Sequence, residues 1–296
     1  MICFYHADND GKCAGFWVNK CGLTDKYGKT FFKIDYGIDF PFEKIHENEI
    51  VYIVDYSIPP EQMDKLFEIT PNVIWIDHHV SAIQKYENYD KEIAGLRYNG
   101  IAGCMLTYIY LNKMTNTDGE VISEFKPILV KSAPWFTKLI ADYDVWKFEY
   151  GDSTRFFEKG FLLFPHEPQD DIWESLLTEN SFFPHGIRVI IDKGKTITAY
   201  RHNFMKNYCE KKGFETTLDG YKCYAVNMAL MGTDDFVIPN VEDYDLLVSF
   251  SFDGKVWSYS LRSEKIDCAE LAAKYGGGGH KGAAGCSSEK LIFGED

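Results

Sequence analysis

The sequence predicts an α/β protein: an N-terminal parallel-sheet α/β domain, a linker helix, and a smaller C-terminal α/β domain with a mixed sheet. Three observations predict it. In the first third, short apolar runs alternate with helical stretches, and each run ends in acidic or histidine residues. A locally basic segment with helical spacing follows in mid-chain. After Gly213 the texture changes to strand-like runs that lead into four consecutive glycines. Continuous apolar runs set between helices mark strands buried on both faces of a parallel sheet.

The first run, ICFY, leads into His6, Asp8 and Asp10. Gly11 is expected to turn the chain tightly behind them, and CAGFWVNKCG reads as a helix. IVYIVD ends at Asp55, and Pro59 and Pro60 suit the start of a helix over EQMDKLFEI. VIWID ends at Asp77, His78 and His79. Residues 102–112 and 127–141 look helical and lead into LIADYDVW, which carries Asp142 and Asp144. The stretch 151–185 is rich in aromatics, including Phe156, Phe157, Phe161, Phe164, Trp173, Phe182 and Phe183, and packing explains them best.

Expected boundaries are 1–185 for the first domain, 186–213 for the linker and 214–296 for the second domain. Within the linker, Ile197, Tyr200, Phe204 and Tyr208 recur at helical spacing. Beyond it, YKCYAVNMA, DLLVSFSF and VWSYSLRS read as strands, with a turn at Asp253 and Gly254. CAELAAKYG is a short helix, and GGGGHKGAAG is read as a loop.

Composition narrows the function. The 296 residues suffice for two ordinary domains. No run reaches the roughly 18 apolar residues of a membrane span. The opening MICFYHADND lacks a basic leader, so no signal peptide is expected. Eight cysteines without a CxxC pair fit a reducing cytoplasm better than a disulfide or zinc scaffold. A net charge of −14 argues against a general DNA-coating protein, so any nucleic-acid contact should be local and short.

The acidic and histidine residues form the candidate site. Alternate residues of an extended chain point to one side, so His6, Asp8 and Asp10 send three ligand groups the same way. Asp55 and the Asp77–His78–His79 group repeat this placement at two further strand ends, where parallel sheets bind ligands. Asp142 and Asp144 form a fourth cluster. Two divalent ions about 4 Å apart need several anionic oxygens, with imidazoles for geometry. Oxygen and nitrogen ligands without thiolate suit manganese, with magnesium, cobalt or zinc as alternatives.

HADNDG, VDYS, IDHH and IADYD, followed by SLRS and GGGGHKGAAG, resemble the DHH phosphoesterase family with its DHH-associated second domain. The ordered set covers nearly the whole chain. The resemblance implies that His6 and Asp8 hold a first metal, that Asp55 bridges, and that Asp10, His78 and Asp142 hold a second. It implies that His79 faces the substrate phosphate and that Asp77 orients an imidazole. In the second domain it implies substrate contacts from Arg262, Ser263, Gly278, Gly279 and His280. Arginine forks onto phosphate oxygens, and glycine backbone amides approach anions closely. The first motif looks closer to the RecJ-like branch, whereas the two-domain architecture resembles the nanoRNase branch.

The activity implied is metal-assisted hydrolysis of short single-stranded oligonucleotides or small nucleotide phosphodiesters. In it Asp55, His79 and His280 act at the reacting groups, and the second domain closes over the site. Hydrolysis of polyphosphate or pyrophosphate is the alternative. A nucleotide-binding sensor without turnover is a third reading.

Overall fold

The computed structural model describes residues 1–21, 24–114, 127–177 and 185–293, without the side chains of 113, 114 and 127–129. Phe182 and Phe183 lie outside the described residues. The chain divides into two compact units, Met1–Thr196 and Ile197–Asp296.

The first unit runs β1 (Ile2–His6), α1 (Asn9–Lys20), β2 (Thr30–Ile34), β3 (Val51–Val54), α2 (Pro60–Ile69), β4 (Val73–Ile76) and α3 (Val80–Lys85). It continues through α4 (Gly103–Met114), α5 (Pro127–Ser132), α6 (Trp135–Asp144), α7 (Asp152–Phe161), α8 (Ile172–Leu177) and the first part of α9 (His185–Lys212). The sheet order is β2-β1-β3-β4, and every pairing is parallel. Alternation along the strands feeds two cores. Cys3, Tyr5, Tyr52 and Val54 meet residues of α1, α4 and α6 on one face. Ile2, Phe4, Val51 and Ile53 meet Met63 and Leu66 of α2 on the other. Helices on both faces explain why these runs are apolar throughout.

Helix α1 begins earlier than its apolar residues suggested. Asp8 is its N-cap, accepting from Gly11 N at 2.9 Å. Gly11 is therefore helical, and its role is different from the expected turn. A Cβ there would sit 2.3 Å from the His6 carbonyl oxygen, so glycine allows α1 to lie against the end of β1. Helix α2 starts at Pro60, where a missing N–H costs nothing. Phe157, Phe161 and Trp173 of the aromatic stretch are buried in the first core.

The segment expected as a linker is one helix, α9, and the division between units falls inside it. Ile187 and Ile190 are buried in the core of the first unit. Gly194 and Gly160 permit close contact of α9 with α7: a Cβ on Gly194 would lie 1.7 Å from the Phe156 carbonyl oxygen. Further along, Met205 and Cys209 are buried with Val226 and Phe236 of the second unit. Tyr200 and Phe204, singled out by helical spacing, are instead exposed.

The second unit continues with β5 (Gly213–Leu218), β6 (Tyr221–Asn227), β7 (Leu246–Phe252), β8 (Trp257–Arg262), α10 (Cys268–Ala273), β9 (Gly278–His280) and β10 (Ala283–Ser288). Its sheet order is β5-β6-β7-β8-β10-β9, mixed because β6 and β7 alone pair in parallel. The turn at Asp253–Gly254 joins β7 to β8, with the Asp253 carboxylate accepting from Lys255 N and Val256 N. The glycine run is only partly a loop: Gly278–His280 is a strand paired with β10. Among the described residues, no helix is long and apolar enough to cross a membrane.

Candidate metal centre

All four strands of the parallel sheet deliver a polar residue at their carboxyl ends. His6 closes β1, Asp35 follows β2, Asp55 follows β3, and Asp77, His78 and His79 follow β4. Asp8 and Asp10 enter from the start of α1, and Asp144 from the end of α6. Three overlapping groups have ligand atoms mutually within 4.8 Å: His6, Asp8 and Asp55; Asp10, His78 and Asp144; and Asp55, His78 and His79.

Asp55 stands between the first two groups. Its Oδ2 lies 3.7 Å from His6 Nδ1, and its Oδ1 lies 3.2 Å from His78 Nε2. The backbone there is left-handed, with φ +53°. Such a conformation persists only where the surroundings impose it, and it costs on the order of 1–3 kcal/mol. His6 Nδ1 lies 2.7 Å from Asp8 Oδ2, and His78 Nε2 lies 3.4 Å from Asp144 Oδ2. Asp10 is held from behind, accepting from Gly103 N at 2.6 Å and Cys104 N at 2.9 Å. Those amides belong to the first turn of α4, where an acidic side chain is favoured.

Asp142 is not part of this cluster, and the expectation that it supplies a ligand is corrected. Its carboxylate accepts from Glu149 N at 2.8 Å, Tyr150 N at 3.3 Å and Thr154 Oγ1 at 2.5 Å. It pins the chain that leaves α6. Asp144 stands where Asp142 was expected. Residues two apart on a helix differ by about 200°, so one site cannot take both.

The residues fit divalent metal ions on two observations. First, both oxygens of Asp55 and Oδ2 of Asp144 are buried and make no hydrogen bond of normal geometry, their near neighbours being the histidines of the same cluster. Buried polar atoms are normally satisfied, so an unpaired convergent set asks for another partner. Second, among the described residues the ion pairs of Asp8, Asp10, Asp55 and Asp144 are with histidines alone. Protonation shows the same excess of negative charge. Burial holds Asp10 and Asp55 well above the usual carboxylate range, with Asp55 and Asp8 respectively adding repulsion. Burial and then Asp10 push Asp144 up to about 8. The carboxylates of Asp55 and Asp8 raise His6 to about 11. Burial opposes ionisation of Asp8, yet His6 prevails and holds it below the usual value.

His79 is oriented by Asp77, whose buried Oδ1 takes the His79 Nδ1–H at 2.7 Å and the backbone N–H groups of His78 and His79. This contact raises the His79 pKa and leaves Nε2 as the ring atom Asp77 does not engage.

Three residues of the site escaped the sequence reading. Asp35 lies 3.4 Å from His6 Nε2 and follows β2; reading TFFKI as a strand would have found it. The Tyr36 ring stands 5.7 Å from that of His6. Gly103 carries no local signal: a Cβ there would lie 2.7 Å from Asp55 Cβ and 3.0 Å from Asp10 Oδ2.

In the second unit, Arg262, Ala283 and His280 are register partners across β8, β10 and β9. Direct partners share a face of the sheet, so Arg262 and His280 flank a small alanine on one side. Gly278, Gly279 and His280 are exposed. Gly279 has φ +147°, and a Cβ would meet Ala284 Cα at 2.6 Å. Ser263 departs from its expected role as a substrate contact. Its hydroxyl donates to Asp245 O and accepts from Lys265 N and Ile266 N, which fills its hydrogen-bonding capacity.

No family model matches the chain. The oligoribonuclease NrnB of Bacillus subtilis is 24% identical over an alignment 280 residues long that covers 86% of this chain and 64% of that protein. The chain therefore spans somewhat under two thirds of that relative's length. A pGpG-specific phosphodiesterase of Vibrio cholerae, PggH, superposes with a TM-score of 0.54 at 12% identity, covering 97% of this chain and 93% of that one. The exonuclease RecJ bound to manganese superposes with a TM-score of 0.50 at 13% identity, covering 97% and 85%. These structural neighbours are DHH-family proteins, and the chain shares their two-unit α/β fold.

Proposed function

We propose that this chain, with the fold of the DHH-family phosphoesterases, hydrolyses phosphodiester bonds in short single-stranded oligonucleotides or small nucleotide phosphodiesters. The observation that carries the reading is two adjacent ligand groups, His6–Asp8–Asp55 and Asp10–His78–Asp144, with the buried Asp55 carboxylate of the first 3.2 Å from His78 of the second. The activities of NrnB, PggH and RecJ support the same substrate class.

His6, Asp8 and Asp55 would hold one ion, and Asp55, Asp10, His78 and Asp144 the other, with manganese the first candidate. When bound, the ions supply the Lewis acidity that activates water and offsets charge on phosphoryl oxygens. The protein's own groups do the rest. Asp10, braced by the amides of α4, and Asp55, wedged against Gly103, keep the carboxylates from reorienting. His79, held at Nδ1 by Asp77, presents Nε2 as a proton donor or hydrogen-bond donor to a phosphate or leaving oxygen. Arg262 and His280, on one face of their sheet, with the amides of Gly278 and Gly279, grip a phosphate.

Product formation from a 5′-labelled dinucleotide, longer RNA and DNA, a cyclic dinucleotide and polyphosphate, with manganese and after chelation, tests this. Metal-dependent release of mononucleotides is expected. Phosphate release from polyphosphate alone would replace the reading with a phosphoanhydride hydrolase. Nucleotide binding without any product would replace it with a sensor.

A further inference from the structure

The geometry points to Trp146 as a stacking platform for a nucleobase of the substrate. The inference rests on the proposed phosphodiesterase reading and deepens it by naming what the site recognises beside phosphate.

Trp146 is 68% exposed. Trp17, Trp75 and Trp173 are buried and Trp135 and Trp257 are half-buried, so this indole is the open one of six. It is not on a remote surface. It lines a cavity of about 120 Å³ together with Asp8, Asp10 and Asp144. A phosphate held by cations on those carboxylates would have its nucleoside within reach of the indole.

The loop that carries Trp146 is built rather than slack. Trp146 has φ +54° and Phe148 φ +51°. Bulky residues rarely occupy that region, and it persists where contacts over-determine it. Those contacts are present. Trp146 N donates to Tyr143 O, Lys147 N to Asp142 O, and Lys147 Nζ to Gly100 O. The Asp142 carboxylate accepts from the amides of Glu149 and Tyr150 beyond Phe148. Phe148 meets the indole edge-on at 5.3 Å, and the Arg155 guanidinium lies 3.8 Å from the centre of the Phe148 ring. The aromatic neighbour thus buttresses the indole through an edge contact. A pre-set, exposed ring at the mouth of a phosphate site is what sequence-tolerant base stacking requires.

The test uses the full chain loaded with manganese and titrated by calorimetry with AMP and with ribose 5-phosphate, which differ by the base. Wild type is expected to bind AMP about tenfold more tightly than ribose 5-phosphate. Trp146→Ala should reduce that ratio to within about twofold, and Trp146→Phe should retain most of it. A thermal melt identifies a variant that fails to fold, in which case the Phe variant and AMP-induced quenching of tryptophan fluorescence, lost in Trp146→Phe, carry the test. Equal affinity of wild type for the two ligands, or a ratio unchanged in Trp146→Ala, would overturn the stacking role and leave the phosphodiesterase reading standing. Failure of both ligands to bind wild type would overturn both.

Discussion

The acidic cluster of the first unit and the glycine hairpin of the second are built in opposite ways. The cluster has a buried floor, with Asp10, Asp55 and Asp77 at most 2% exposed, and an open rim that includes Asp8. The hairpin is exposed backbone, in which a Cβ on Gly277 or Gly279 would clash while Gly278 faces open space. In the cluster the folded chain holds like charges together against their repulsion. In the hairpin the fold itself requires glycine at 277 and 279. Substitutions should therefore separate the two regions: in the first they cost ion binding, in the second they cost structure.

The largest effect is expected at Asp55. Replacing partners one shell further from a metal typically costs 10–100-fold, so Asp55→Ala should lower turnover by more than about 100-fold. The metal-free variant should melt no lower than wild type, because a buried, repelled carboxylate has gone. Normal turnover in Asp55→Ala would break the contrast at its root.

A paired substitution sharpens it within one helix. Asp144→Asn should weaken manganese binding by about tenfold or more. Asp142→Asn should keep two-ion stoichiometry but lose about 1–3 kcal/mol of stability, because it loosens a buried carboxylate that accepts three hydrogen bonds. Metal titration and chemical denaturation read the two effects, and the opposite pattern would restore Asp142 as the ligand.

In the second unit, Gly279→Ala should destabilise by about 1–3 kcal/mol, from left-handed strain and a 2.6 Å contact with Ala284. Manganese affinity should be unchanged. A variant with wild-type stability would show that the hairpin tolerates a Cβ.

The smallest effect is a pH dependence of the metal-free protein. Asp10, Asp55 and Asp144 have raised values in the folded chain, Asp144 at about 8. Their contribution is present below the ordinary carboxylate range and is lost as pH rises through the raised values. His6, raised to about 11, changes in the same sense at higher pH. The chelated protein should therefore melt at a lower temperature at pH 8 than at pH 5, and saturating manganese should narrow the difference. A melting temperature that rises over that interval would contradict the repulsion.

The strand ends were legible in sequence because an apolar run buried on both faces has a sharp polar boundary. His6, Asp55 and Asp77–His79 sit at such boundaries, and the parallel fold follows from the runs themselves. Asp35 was missed because β2, an edge strand, is only half-buried and its run TFFKI is less apolar.

Helix phase was less legible. Asp142 and Asp144 are both acids near the end of a helix, and which one faces the cluster depends on how α6 rotates against α1 and α4. The same limit misplaced the buried face of α9: exposed Tyr200 and Phe204 and buried Met205 and Cys209 are each four residues apart, so spacing alone did not tell the two stripes apart. Ligand types, their order and the alternation of strand and helix were thus written in local composition, because burial acts residue by residue along a strand. The position of Asp55 between the two ligand groups, the need for glycine at 103 and the exposure of Trp146 were decided by tertiary structure, because each depends on atoms from elements far apart in the chain.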